Sequence, residues 1–149
     1  MFIRFLLICL LIACNYPDSI KSDNSNSDLI LIHLRNALKV HWNQEKNDIE
    51  EEALFSTIKH NKEKYIGDLL TQLSDTSLSI NSICKTTGLH KGDFAFMIIN
   101  KMYSIPYIDI FNTQFDVYDS CAYPVGLFDY IELNRDSVRS KLSQYFSLK

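Results

Sequence analysis

Glycine and proline are scarce in this chain, four and three among 149 residues. A sandwich or barrel reverses direction often and uses many more of both, so the shortage points to helices. Positive charge is also short. Fifteen Lys and Arg face eighteen Asp and Glu, a formal net charge of −3, which leaves no basic footprint for DNA or RNA. Recognisable chemistry is missing too: there is no GxSxG, no Walker loop, no HExxH and no dinucleotide fingerprint. The sequence therefore nominates no catalytic residue and no cofactor.

Metal ligation has little support. His33 and His41 are eight apart, which on a helix sets them about 80° apart and two turns along. Ligand pairs on a helix favour i, i+3 or i, i+4 spacing instead, so no metal site is expected. The run Glu50-Glu51-Glu52 reads as a solvated helix start, where acids suit the dipole.

What is present begins at the N-terminus. Arg4 precedes an unbroken apolar run of nine, Phe5 to Ala13. A helix needs about 20 apolar residues to span a bilayer, so this run cannot cross alone; it has the length of a secretory signal core. At its end stands Leu11-Ile12-Ala13-Cys14: an aliphatic residue, a tolerant position, a small residue and a cysteine. This resembles the lipobox of bacterial lipoproteins. The resemblance covers fourteen residues and implies a diacylglyceryl group on the Cys14 thiol, cleavage before Cys14, and a further acyl chain on the new amino group. Two or more chains anchor stably, because each buried CH₂ adds about 0.8 kcal/mol. Asn15 rather than Asp after that cysteine favours the outer membrane where the enterobacterial sorting rule applies. Residues 15–28, NYPDSIKSDNSNSD, have too few apolar groups to pack; such a tether spans on the order of 20 Å.

The expected organisation is thus a signal at 1–13, a lipidated cysteine and tether at 14–28, and one helical domain at 29–149. A chain of this size holds one core comfortably. Leu31, Leu34 and Leu38 fall at i, i+3 and i+7 and predict a helix over 29–43 behind an Asp28 cap. Further helical patterns run through Ala53, Leu54 and Ile58, and through Ile66, Leu69, Leu70 and Leu73, with Asn61 as a possible break. Ser74 to Ser79 is a turn cluster. Ile80, Ile83 and Cys84 predict a short helix with Gly88 at its C-cap. Phe94 to Ile99 predicts a buried helix over 94–103, capped by Asp93 and stopped by Pro106. Alternation of Ile108, Ile110, Phe115 and Val117 around Asn112-Thr113 predicts a minor β ribbon near 108–118. Pro124 opens a helix ending near Asn134, and Val138, Leu142, Tyr145 and Phe146 mark a last one. The fold class is mainly α.

Of four cysteines, Cys9 leaves with the signal and Cys14 takes lipid. An exported chain then leaves Cys84 and Cys121 to form a disulfide, closing a loop of about 38 residues worth roughly 4 kcal/mol in the chain-entropy model. A papain-like thiol is the alternative. Its histidine follows the cysteine in sequence, yet every His precedes Cys121, and only His90 follows Cys84.

The segment from Phe94 to Tyr130 carries ten of the eighteen aromatics, and residues 93–136 carry seven acids against Lys101 and Arg135. Two readings stay open. Tyr107, Asp116, Tyr118, Asp119, Tyr123 and Asp129 could form an aromatic, acidic interface for another protein, or the aromatics could simply be core. The functional expectation is a non-enzymatic, membrane-anchored envelope protein that binds another protein, an immunity protein being one concrete form. An accessory subunit of an envelope complex, or a small wall or glycan hydrolase using Asp116 and Asp119, are the rivals.

Overall fold

The computed structural model describes residues 27–33, 37–50, 58, 62–115 and 121–148. Among them are five helices and two small antiparallel sheets. The first sheet joins β1 (Ser27–His33), β2 (Ala37–Asn43) and the short β3 (Asp48–Ile49), in that order. Ser27 pairs with Asn43 and His33 with Ala37. This hairpin replaces the helix expected over 29–43. Leu29-Ile30-Leu31-Ile32 is a short apolar run, which periodicity alone does not separate into helix or strand. Leu38, Val40 and Trp42 alternate with Lys39 and His41, a period of two that the leucine spacing masks, and their branched and aromatic side chains favour strands.

The first helix, α1 (Lys62–Gln72), buries Tyr65 and Leu69. Leu73 just beyond it and Ile58 before it are also buried, in keeping with the pattern in the sequence; Ala53, Leu54 and Asn61 lie outside the described residues. The expected turn cluster is present. Asp75 N–H donates to Gln72 O, and Asp75 Oδ1 accepts from Ser77 N–H at 2.8 Å, an Asx-type turn.

A second hairpin follows, β4 (Ile80–Ser82) against β5 (Lys85–Leu89), with an irregularity between Ile80 and Ser82. It takes the place of the short helix expected around Ile80–Cys84. Gly88 is not a helix cap but a strand residue at φ +82°; a Cβ there would lie 2.5 Å from Ser79 Oγ and 3.0 Å from Ile80 O. Only glycine combines that dihedral with so close a backbone.

The centre of the molecule is α2 (Lys91–Tyr103), in which Gly92 to Ile99 is buried without interruption. A helix apolar on all sides belongs inside. It starts earlier than expected, so Asp93 sits in its first turn rather than at its cap, and its carboxylate reaches back to accept from His90 N–H at 2.8 Å. Trp42 meets Phe94 edge-on, and Phe96 does the same with Phe128. The helix stops at Ser104, in a left-handed conformation, and Lys62 Nζ donates to Met102 O at 2.7 Å, placing a cation where the helix dipole is negative.

Pro106 precedes α3 (Tyr107–Phe111), and Asn112 ends it at φ +51°. The ribbon expected near 108–118 is therefore not found over 107–111. Asn tolerates the left-handed region at a helix stop as readily as in a hairpin turn. Val117 lies outside the described residues. Then come α4 (Leu127–Leu133) and α5 (Arg135–Ser147), close to expectation, with Pro124 three residues ahead of α4 and Asn134 between the two. Helix α1 packs on α2, α5 packs on α1, α3 and α4, and α4 leans on β5. Among the described residues no helix is long and apolar enough to cross a membrane.

Candidate functional site

Two neighbouring features stand out where β5, α2, α4 and α5 meet. The first is a buried set of charges. Lys85 and Asp93 have no exposed side-chain surface, and Arg135 is almost as deep. Asp93 Oδ2 accepts from Lys85 Nζ at 2.8 Å and from His90 N–H, while its Oδ1 accepts from Arg135 Nη2 at 3.1 Å. Glu132, half-buried on α4, makes a second ion pair with Lys85, and Thr87 Oγ1 donates to it. Two cations and two carboxylates thus balance, which offsets the cost of removing them from water. Arg135 Nη1 also donates to Leu73 O at 2.9 Å. A Cβ on Gly92 would fall 2.4 Å from Leu73 O and 2.5 Å from Arg135 Nη1, so glycine is what lets the guanidinium pass between α1 and α2.

Electrostatics at the margin follow from these contacts. The Lys85 ammonium, by hydrogen bond and by charge, outweighs partial burial and holds Glu132 below the ordinary carboxylate range, with smaller help from Thr87 and His90. His90 Nδ1 is 2.7 Å from Leu78 O; a carbonyl only accepts, so Nδ1 carries a proton. Its Nε2 stands 3.7 Å from Glu132 Oε1. Lys85 Nζ is engaged by two carboxylates and reaches no solvent, so the cluster works as a brace tying β5 to α2, α4 and α5.

The second feature is the disulfide. Cys84 and Cys121 are bonded, with Cα atoms 5.3 Å apart, as the sequence led us to expect for an exported chain. The bond joins the β4–β5 turn to the segment before α4. Cys84 Sγ rests 3.7 Å from Asn47 O in the β2–β3 turn, and Tyr123 N–H points at Cys121 Sγ from 3.4 Å. Above the disulfide lies a cleft of about 270 Å³, lined among others by Ile83, Tyr123, Val125 and Asp129. Ile83 is 62% exposed and Val125 50% exposed.

The residues singled out as an interface fare differently. Tyr123 is only 4% exposed and stands edge-on to Phe128, so it belongs to the core beneath the cleft and not to a surface. Tyr107 is half-buried among Phe96, Phe111 and Phe115. Asp129 is half-buried beside the cleft. Asp116, Tyr118 and Asp119 lie outside the described residues, as does Cys14. Glu50 is exposed and accepts from Asn43 Nδ2 just after β3; Glu51 and Glu52, and with them the helix start expected there, are outside the described residues. Most of the aromatic-rich segment is internal: Phe94, Phe96, Phe111 and Phe128 are buried. Sequence reasoning missed Lys85, Glu132 and Arg135 altogether, because no periodicity or motif distinguishes a buried charge from a solvated one.

Among the described residues, no three His, Cys, Asp or Glu side chains are arranged to hold a metal ion. Compared with protein-family models, with curated proteins and with solved structures, the chain matches none.

Proposed function

We propose that this chain is an envelope lipoprotein, cut before Cys14 and anchored there by lipid, whose helical domain acts by binding another protein. The observation that carries the reading is the Cys84–Cys121 disulfide beneath the exposed Ile83 and Val125. Disulfides persist in oxidising compartments outside the cytosol, which agrees with the lipobox-like Leu11-Ile12-Ala13-Cys14. Exposed aliphatic groups on a cross-linked platform suit protein contact, since little conformational freedom is lost on docking. The deepest carboxylate, Asp93, is fully engaged in holding helices together. That assigns Asp93 to holding the fold together; the hydrolase rival rests on Asp116 and Asp119, outside the described residues.

An immunity protein and an accessory subunit of an envelope complex are the two forms this role takes. Mild crosslinking in the native envelope, then purification of the tagged chain and mass spectrometry, separates them. A constant, stoichiometric partner identifies a subunit, and a partner trapped only when a delivered toxin is present identifies immunity. Recovery of wall fragments alone, with no protein partner, would overturn the binding reading.

A further inference from the structure

We infer that the cleft above the Cys84–Cys121 disulfide receives an aliphatic or aromatic side chain of a protein partner, flanked by a lysine or arginine. This deepens the binding role proposed above and rests on it. The volume, about 270 Å³, falls just short of the roughly 300–1,000 Å³ of small-molecule sites and suits a single anchoring side chain of the kind that dominates protein interfaces. Its rim is apolar on two sides, with Ile83 on the β4–β5 turn and Val125 ahead of α4 both well exposed.

Charge sets the second half of the specificity. Two side chains of the cleft lining carry charge at neutral pH, Lys85 and Asp129. The Lys85 ammonium is buried and neutralised by Asp93 and Glu132. Asp129 has no ion-pair partner among the described residues, so it is the unbalanced charge of the lining. A partner cation beside the anchor is attracted, and an acidic partner is repelled. The platform is also preorganised, because the disulfide fixes one wall to the other.

The test places a benzophenone amino acid at Val125, or at Ser143 on the exposed face of α5 as a control, in the full-length chain in its own envelope. Irradiation at Val125 should trap another protein through a segment with an apolar residue next to Lys or Arg, and Ser143 should not. Asp129→Lys should lower the Val125 yield by about tenfold through like-charge repulsion, with only a small fall in melting temperature from the lost acid in the first turn of α4, and Asp129→Asn should lower it less. If the same partner is trapped from Ser143 and not from Val125, the chain binds protein but the cleft is not the place. A second copy of this chain, or an acidic segment, trapped at Val125 overturns the partner chemistry. Silence at both positions, with the bulk crosslink also empty, overturns the binding role itself.

Discussion

Replacing Asp93 by alanine would leave two buried cations, Lys85 and Arg135, without the counter-charge they share. Breaking a buried pair in this way costs about 3–5 kcal/mol, and urea denaturation of Asp93→Ala should show a loss of that order. Tyr103 offers the opposite case. Its hydroxyl is buried without a hydrogen-bond partner among the described residues, so Tyr103→Phe removes an unsatisfied group and should be neutral or slightly stabilising by thermal melting. Glu132 supplies a pH dependence. Its pKa is lowered in the folded chain, mainly by Lys85, so its contribution is complete above the ordinary carboxylate range of about 4.3. It is lost as pH falls through Glu132's own, lower value. The gap in urea midpoint between wild type and Glu132→Gln should therefore hold from neutral pH down to that range and close below it. At this scale the sequence was half legible. Asp93 was recognisable as a group that serves the start of α2, because acids near a helix N-terminus have a local signature. Its partners on β5 and α5 have none, since Lys85 and Arg135 look in sequence like any surface base.

The β4–β5 hairpin shows why elements were read unevenly. Long apolar patterns such as Phe94 to Ile99, and Val138 with Leu142, located α2 and α5 because burial follows helical geometry closely there. Ile80, Ile83 and Cys84 are spaced as on a helix, yet the segment is extended. What decides it is Gly88 at positive φ and the close approach of Ser79, a tertiary constraint that no local pattern announces. The N-terminal hairpin was lost to the same competition, in which leucine spacing outweighed the alternation of Leu38, Val40 and Trp42. Gly88→Ala adds a Cβ against Ser79 and Ile80 at a dihedral that disfavours it, and should destabilise the fold by more than about 1 kcal/mol in urea denaturation. Removing the staple by the double change Cys84→Ser and Cys121→Ser should cost roughly 4 kcal/mol by loop closure. Hydrogen exchange should then rise most in β4 and β5, the part the disulfide holds to the segment before α4.

At the scale of the whole molecule the proposal of export draws on sequence and structure together. The bond between Cys84 and Cys121 and the lipobox-like start are the two features on which the proposed export rests, since disulfides persist in oxidising compartments. The aromatic-rich segment, open in sequence to two readings, went largely to the core: a ring cluster of Phe96, Tyr107, Phe111 and Phe128 around α2. Among the described residues, the proposed binding role draws on a smaller surface, the apolar rim of Ile83 and Val125 with Asp129 beside the disulfide. The most direct test of the export and anchoring claim is the intact mass of the protein taken from its native membranes. We predict a chain that begins at Cys14, carries a diacylglyceryl group there, and is lighter by two hydrogens than its reduced form. A chain that begins at Met1, without lipid and with free thiols at Cys84 and Cys121, would contradict it.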